Sequence, residues 1–333
     1  MAKSRRAHVA VGAMLIVIPG SAIALTATRA VAQPSANPGS AAGQPGNVVQ
    51  VPTRLKARQL VYGRDVIVTG TAPASDSGEK LALEFSPAGS RSWRELTSTT
   101  VGAGGRFRLA ALLKHSGLVK VTGVSAASDT RAAASGGDLL TPTSDVLESA
   151  SERVTVAAEL HVPARNVAVL SGQSIDLRGK LLPALAGRRV RLQARGGGGW
   201  HTVASARTGP RGGFDLHYTS GSTGRQRLRV QFAGDRQNGR SQAPAGQLTT
   251  YHTSVASWYD DGGSTACGFH AYFGVANRDL PCGTSVTFQY GGHSVTAVVD
   301  DRGPYVGGRD WDLNQNTAAA LGFGGVDTVW SSI

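Results

Sequence analysis

VVDDRGPYVGGRDWDL occupies Val298–Leu313, close to the end of a chain of 333 residues, and it contains four aspartates. Its first residues continue an alternating apolar pattern, whereas the Arg-Gly-Pro and Gly-Gly steps in its centre are typical of turns. The next residues, NQNTAAAL at Asn314–Leu321, predict a short helix that ends at Gly322. The stretch therefore predicts an acidic turn between a strand and a helix, and the question is whether its carboxylates form an active site.

The residues before this stretch predict a hairpin and a disulfide. Val286–Tyr290 and Ser294–Val299 alternate apolar and polar residues, and Gly291-Gly292 between them is a turn signal. Cys267 and Cys282 are the only cysteines, and in an exported chain such a pair is most simply a disulfide. Two thiolates without a close pair of histidines do not complete a metal site, so we expect no metal.

The first 32 residues have the pattern of a secretory signal peptide. Lys3, Arg5 and Arg6 precede an apolar run at Val9–Leu25, and Ala30-Val31-Ala32 forms a cleavage motif. The alternative, an uncleaved anchor, is disfavoured because the run is shorter than the roughly 20 apolar residues that a span needs. We expect an exported protein, secreted or in the cell wall, with no stable membrane span after cleavage.

An internal repeat indicates two similar all-β modules. Each copy has a Gly before an alternating strand, a second Gly seven residues later, and a Trp that precedes a Phe by 14 residues. The matching residues are Gly63, Gly70, Trp93 and Phe107 in the first copy and Gly172, Gly179, Trp200 and Phe214 in the second. Short alternating segments separated by turn residues predict immunoglobulin-like β-sandwiches, each with a core Trp and Phe.

The resulting domain plan has five parts. Residues 1–32 are the signal peptide and residues 33–48 a flexible linker of Pro, Gly, Ser and Ala. The sandwich repeats are predicted at 49–157 and 158–250, and the cysteine-containing domain covers 251–333.

Charge is divided unevenly along the chain. The formal net charge is +12, yet residues 251–333 contain eight Asp, three Arg and no Lys or Glu. The body before them is therefore strongly basic, which suits attraction to anionic polymers of a cell envelope. Nucleic acid is not an expected partner, because export argues against it and the chain has no aromatic-basic nucleic-acid motif.

Three segments of the last quarter of the chain resemble one known family. Ala256–Gly268 (ASWYDDGGSTACG), Gly274–Phe288 (GVANRDLPCGTSVTF) and Val298–Trp330 are similar to the rare lipoprotein A (RlpA)-like family, which includes septal-ring lytic transglycosylases and their actinobacterial relatives. The resemblance implies a six-stranded double-psi β-barrel. With the two repeats, the predicted fold is all-β throughout.

The resemblance also implies a reaction and its residues. Lytic members cleave the glycan strands of peptidoglycan without water and leave 1,6-anhydromuramic ends, which requires one carboxyl that acts first as acid and then as base. Asp301, directly before Arg-Gly-Pro, has that role, and Asp300 and Asp310 are expected to be solvated or structural. Asn277 stands where the family usually has His, and we expect it to orient groups by hydrogen bonding. No cofactor is implied.

Further residues are candidates for binding the glycan. They are Asp312, Arg302, Arg309, Trp258, Tyr259, Tyr305 and Trp311. The arginines would contact a muramyl or peptide carboxylate and the aromatic residues would stack on sugar rings, although at least half of the aromatic residues should be core. Structural roles stay open: Asp301 could accept backbone hydrogen bonds in its turn, and Asp312 could favour the helix end.

Three functional hypotheses follow. The first is an exported lytic transglycosylase, a lyase that binds and cleaves peptidoglycan. The second is a non-catalytic, expansin-like module that binds or loosens the wall, because Asp312 matches the Asp of the expansin His-Phe-Asp motif. The third is an adhesive or interaction protein that works through its basic repeats.

Overall fold

The structure is a computed structural model that describes residues 47–124, 145–260 and 262–333. The predicted signal peptide and nearly all of the predicted linker lie outside the described residues. The described chain is all-β, as predicted, and its only α-helix there is α1, Gln315–Leu321. No helix in these ranges is both long and apolar enough to cross a membrane.

The first module is built from ten strands. They are β1 (Val48–Gln50), β2 (Thr53–Leu55), β3 (Gln59–Val61), β4 (Arg64–Thr71), β5 (Lys80–Pro87), β6 (Arg94–Thr100), β7 (Arg106–Leu113), β8 (Gly117–Val124), β9 (Val146–Glu148) and β10 (Glu152–Ala157). Strands β2, β4 and β7 form one sheet and the other seven form a second. Val68 and Leu109 from the first sheet share one buried cluster with Leu83 and Val121 from the second. Two sheets around one core make a sandwich.

The second module has the same two-layer plan. Its strands are β11 (Glu159–His161), β12 (Arg165–Leu170), β13 (Ser174–Leu182), β14 (Arg189–Gly196), β15 (Gly199–Arg207), β16 (Gly213–Thr219), β17 (Gly224–Phe232) and the first half of β18 (Ser241–Tyr259). Strands β11, β13 and β16 form a separate small sheet that packs on the larger one. Leu216 of the small sheet and Leu192 and Val230 of the larger sheet are fully buried in a common cluster.

The repeat in the sequence reflects one packing device used twice. Gly70 pairs with Phe107 across β4 and β7, and Gly179 pairs with Phe214 across β13 and β16. A Cβ atom on either glycine would lie 2.4 Å from Cζ of the paired Phe ring. Each glycine therefore leaves the space in which a buried phenylalanine lies flat against the opposite strand.

The repeated tryptophans are not core residues, contrary to the prediction. Trp93 and Trp200 are only half-buried and belong to neither hydrophobic cluster. Instead a cation lies over each ring: Lys120 Nζ is 4.8 Å from the Trp93 centroid, and Arg229 Cζ is 4.2 Å from the Trp200 centroid. A charged group over the ring and partial exposure to solvent place each Trp on the outer surface of its sheet rather than in the core.

The third part of the fold is a closed sheet of six strands. Besides the second half of β18 it contains β19 (Gly274–Ala276), β20 (Ser285–Tyr290), β21 (His293–Asp301), β22 (Trp311–Asn314) and β23 (Asp327–Ser331). Pairing runs in the order β18, β22, β19, β21, β20, β23 and returns to β18. The predicted hairpin is present as β20 and β21, and Phe288, Leu313 and Val329 fill the interior.

Strand β18 belongs to both the second module and the closed sheet. Tyr251 is its last residue paired with β12, and His252 is the first paired with β23. The predicted boundary at residue 250 thus falls inside one continuous strand, which joins the two units without a linker.

Helix α1 starts and ends as predicted. Asn314 is the N-cap, and its Oδ1 accepts a hydrogen bond from the Thr317 N–H at 2.9 Å. Gly322 is the C-cap with φ of 64°, a conformation that glycine adopts without the cost of a Cβ atom. The helix packs against β21 and β22, so it holds the two strands that carry the acidic residues.

We predict that Gly179→Ala destabilises the second module by about 2 kcal/mol, because the new Cβ must displace the Phe214 ring or the His161 carbonyl. Denaturant unfolding of the whole chain measures the change. Gly198→Ala is the matched control, since nothing lies within 4 Å of its Cβ position, and it should shift the unfolding midpoint little. Equal midpoints for the two variants would contradict this packing argument.

Candidate functional site

Two of the aspartates lie in one row across the closed sheet. Ser257 pairs with Asp312, Asp312 pairs with Ala276, and Ala276 pairs with Asp301, on strands β18, β22, β19 and β21. Paired residues on neighbouring strands point to the same face of a sheet. Asp301 and Asp312 are therefore on one face, two strand spacings or roughly 10 Å apart. Ala276, which is 3% exposed, lies between them, and a register shift between Val275 and Ala276 brings Asp301 into this row.

Asp312 is half-buried and its carboxyl has a raised pKa. Burial is the main cause, and the negative charge of Asp301 adds to it; the hydrogen bond from Ser257 and the charge of Arg309 act in the opposite direction. Ser257 Oγ donates to Asp312 Oδ1 at 2.8 Å. Asp312 lies in β22 while Asn314 caps the helix, so the interpretation of Asp312 as a helix-end residue is wrong.

Asp301 combines a structural contact with a position in the row. Its Oδ1 accepts the backbone N–H groups of Ala266 and Arg302, both at 2.8 Å. In the described part of the chain its Oδ2 makes no hydrogen bond, and the side chain is half-buried. Oδ1 therefore holds the turn by backbone hydrogen bonds, which is the structural role considered for Asp301 above. Oδ2 stays available on the face that Asp301 shares with Asp312.

Asp300 is entirely buried and structural rather than solvated. Its Oδ2 accepts the Ala271 N–H at 2.8 Å and its Oδ1 accepts the Val275 N–H at 3.0 Å. Burial raises its pKa although these bonds lower it. A Cβ on Gly274 would lie 2.2 Å from Asp300 Oδ2, so a glycine is needed beside this carboxylate.

Asn277 uses its whole side chain for local structure. Its Oδ1 accepts the N–H groups of Asp279 and Leu280, at 3.0 and 2.9 Å, and its Nδ2 donates to the Asp310 carbonyl at 3.2 Å. Its own N–H donates to the Asp301 carbonyl at 3.2 Å. The residue therefore connects the loop after β19 to both ends of the loop between Asp301 and Asp310, which we call the acidic loop. Its amide group does not transfer protons.

The two predicted arginines differ in their surroundings. Arg302 Nη1 donates to the carbonyls of Asn277 and Leu280, at 3.1 and 2.9 Å, and Nη2 approaches Cys282 Sγ at 3.1 Å. Its guanidinium is directed inward, so the expectation that Arg302 contacts a substrate carboxylate is not supported. Arg309 is the cation whose charge acts on Asp312. Among the described residues, no group of three or more His, Cys, Asp or Glu side chains is placed to hold a metal.

The predicted disulfide between Cys267 and Cys282 is present, with the Cα atoms 5.8 Å apart. It fixes the segment that contains Ala266, whose N–H bonds to Asp301. The disulfide thereby supports the turn at Asp301 from outside the sheet.

The four predicted aromatic residues have different environments. Trp311 is 3% exposed and packs edge-on against Phe288 with ring centroids 5.1 Å apart, so it is core and cannot stack on a sugar. Tyr259 is half-buried. Trp258 and Tyr305 are 45% and 81% exposed and stay available for ligand contact.

Three residues of the site were not predicted from the sequence. Ser257 donates to Asp312, and its alternation with Ala256 in the strand could have signalled an outward hydroxyl. Arg278 donates to the carbonyls of Pro304 and Arg309 and so holds the acidic loop in place. Tyr272 is 73% exposed and edge-on to Phe273, an arrangement that no local pattern in the sequence indicates.

Residues 252–329 match the family described as Lytic transglycolase, a double-psi β-barrel family, over just under a quarter of the chain. This match confirms the RlpA-like family for the C-terminal domain. It supports a peptidoglycan-related function at the cell wall, and with the disulfide it indicates an extracytoplasmic protein. No curated protein matched the chain.

We predict that Asn277→Ala destabilises the C-terminal domain by about 1 to 2 kcal/mol, because two backbone N–H groups lose their acceptor. Asn277→Asp keeps that acceptor and should recover most of the loss. Chemical denaturation followed by Trp fluorescence compares the two variants. Full stability of Asn277→Ala would contradict the structural role.

We predict opposite changes in the pKa of Asp312 in two variants. Asp301→Asn removes a negative charge and should lower the pKa, whereas Arg309→Gln removes a positive charge and should raise it. NMR titration of the carboxyl carbon measures both. Because the folded pKa is raised, the protonated carboxyl contributes stability at low pH that is lost as pH rises through that pKa. Shifts of the same sign in both variants would contradict the assigned neighbours.

Proposed function

We propose that this is an exported cell-wall protein whose C-terminal domain binds peptidoglycan glycan strands and cleaves them as a lytic transglycosylase. The observation that carries the proposal is the row from Ser257 to Asp301, which places two carboxylates on one face with Ala276 between them. The family match over residues 252–329 supports the choice of peptidoglycan.

Asp312 is the better candidate for the proton donor. A general acid is favoured by a pKa above the ordinary range of an aspartate, and burial raises the pKa of Asp312, which lies in the row. This departs from the resemblance, which indicates Asp301. In the proposal the carboxylate of Asp301 favours the proton on Asp312 and stabilises the positive charge that develops at the anomeric carbon.

The proposed reaction needs no water and no cofactor. Asp312 protonates the glycosidic oxygen as its bond to C1 of the muramyl residue breaks. The Asp312 carboxylate then removes the proton of the C6 hydroxyl, whose oxygen forms the new bond to C1. The carboxyl has its proton again at the end, and the products are a free 4-hydroxyl and a 1,6-anhydro end.

The exposed residues around the row are suited to hold the glycan. Tyr305 is exposed and follows the Arg-Gly-Pro turn that begins after Asp301. Trp258 is also exposed, but it pairs with the core residue Leu313 and so lies on the sheet face opposite the row, near its end. Exposed aromatic faces stack on sugar rings. Arg309, beside Asp312, is the cation that would contact a muramyl or peptide carboxylate.

We predict that the wild-type protein releases 1,6-anhydromuramic ends from purified peptidoglycan, detected by mass spectrometry. Asp312→Asn and Asp301→Asn should each lower the rate about 100-fold or more, because an amide neither donates a proton as an acid nor carries the charge. Asp310→Asn is the matched control and should stay within about threefold, since Asp310 is exposed and its side chain accepts a hydrogen bond from the Val255 N–H, which an amide oxygen can also accept.

The outcomes separate the roles. If Asp301→Asn loses activity and Asp312→Asn keeps it, the general acid is Asp301 and not Asp312. Absence of anhydro ends from the wild type, across a range of pH and at high protein concentration, would exclude the lytic function.

A non-catalytic module that binds or loosens the wall is the second candidate. The observation that favours it is the complete engagement of Asn277, which leaves no proton-transferring group at the position where the family usually has His. Sedimentation with insoluble peptidoglycan tests this alternative: wall binding that depends on Trp258 and Tyr305, without anhydro products, would establish it in place of cleavage.

A further inference from the structure

One outer face of the second module concentrates arginine. Strands β14, β15, β17 and β18 contain no Asp or Glu, and seven arginines lie on the first three. We call this surface the arginine face; its arginines are Arg189, Arg191, Arg195, Arg207, Arg225, Arg227 and Arg229.

The register places these side chains together on the same face. In β14, Val190, Leu192 and Ala194 are buried in the core, so the alternating arginines point outward. Arg191 pairs with Gln231 on β17, and Arg227 pairs with Gln247 on β18. Side chains on one face recur about every 6.6 Å along a strand and about 4.8 Å between strands. The arginines therefore form a two-dimensional array.

Among the described residues no carboxylate forms an ion pair with these arginines, although Asp235 lines the same pocket as Arg189 and Arg191. Asp176 and Asp215 lie on β13 and β16 of the opposite sheet, and Glu159 lies on β11. Asp235 pairs with the buried Arg188. Among the described residues, Arg191, Arg195 and Arg227 make no ion pair and no side-chain hydrogen bond, so their guanidinium groups are available to an external anion.

A pocket opens beside Trp200 in the arginine face. Its volume is about 550 Å³, and its lining includes Trp200, Arg227, Arg229, Asn166, Gln242 and Gln247. Arg229 stacks on the Trp200 ring and is held by Gln193 and Gln242, at 2.8 and 3.1 Å. Arg229 therefore covers one face of the Trp200 ring. The amide groups and the free guanidinium group of Arg227 that line the pocket have the chemistry that recognises sugar hydroxyls and carboxylates.

We propose that the arginine face binds a carboxylate-bearing glycan, with a sugar ring seated at Trp200 and its carboxylates paired with the surrounding arginines. This site is separate from the carboxylate row of the closed sheet and does not depend on cleavage there. It would attach the protein to an acidic polysaccharide of the wall while the C-terminal domain acts on its own substrate.

The test measures binding of the whole chain to three probes by calorimetry. The probes are a polygalacturonate oligomer of about ten residues, a neutral dextran oligomer of the same length, and a polyglycerol phosphate of similar charge. The expected order is strongest binding to polygalacturonate, at least about fivefold weaker binding to polyglycerol phosphate, and little binding to dextran.

The variants locate the site. Arg191→Gln, Arg195→Gln and Arg227→Gln together should weaken polygalacturonate binding at least about tenfold. The matched control, Arg54→Gln, Lys56→Gln and Arg108→Gln on the first module, removes the same charge and should change binding less than about twofold. Trp200→Ala should reduce the preference for polygalacturonate over polyglycerol phosphate. None of the three probes contains a muramyl residue, so their binding does not depend on the lytic reaction, which separates this proposal from the lytic one.

Several results would overturn the proposal. They are equal loss in the two triple variants, polyglycerol phosphate binding as tightly as polygalacturonate, or no polygalacturonate binding. If the first triple variant does not fold by circular dichroism, the single exposed change Arg227→Gln and the charge-preserving Arg195→Lys decide instead, with a loss expected in the first and most binding retained in the second.

Discussion

The hydrogen bonding of strand β18 is the constraint on which the C-terminal half of the molecule depends. Its 19 residues contribute a central strand to the second sandwich and then, from His252, a strand to the closed sheet. A strand with both neighbours paired cannot rotate or slip by one residue without exchanging its buried and exposed faces. The register that buries Leu248 in one core and Ala256 in the other also directs Ser257 toward Asp312.

The acidic loop is held by backbone bonding rather than by charge pairing. Asp300 accepts hydrogen bonds from the N–H groups of Ala271 and Val275. Asn277 bonds to both ends of the loop, and Arg302 donates to the carbonyls of Asn277 and Leu280. These contacts satisfy the backbone groups of a turn that has no regular secondary structure of its own. Asp301 and Asp312 are consequently placed by a rigid frame, although neither forms an ion pair among the described residues. Placement of this kind is what a carboxylate pair needs for electrostatic catalysis.

The sandwiches and the closed sheet carry opposite charges for separable reasons. In the second module the outward positions of three strands include seven arginines, while the acidic residues are confined to the small sheet or paired with Arg188. In the C-terminal domain the row contains two carboxylates, and Arg278 and Arg302 donate to backbone carbonyls of the neighbouring loops. The chain therefore presents two chemically distinct surfaces, one rich in arginine and one that contains a pair of carboxylates.

Alternation, turn residues and the two cysteines determined the all-β class, the hairpin, the capped helix, the repeat and the disulfide, because each depends on residues close in the chain or on a pairing with no alternative. The family of the last domain was also recognisable from its motifs. Only the tertiary structure decided which aspartate is buried, that Trp311 is core, that Asn277 and Arg302 are fully bonded, and that Trp200 lies under an arginine. These properties depend on which strands become neighbours and in which register, and residues distant in the chain meet only when the sheet closes.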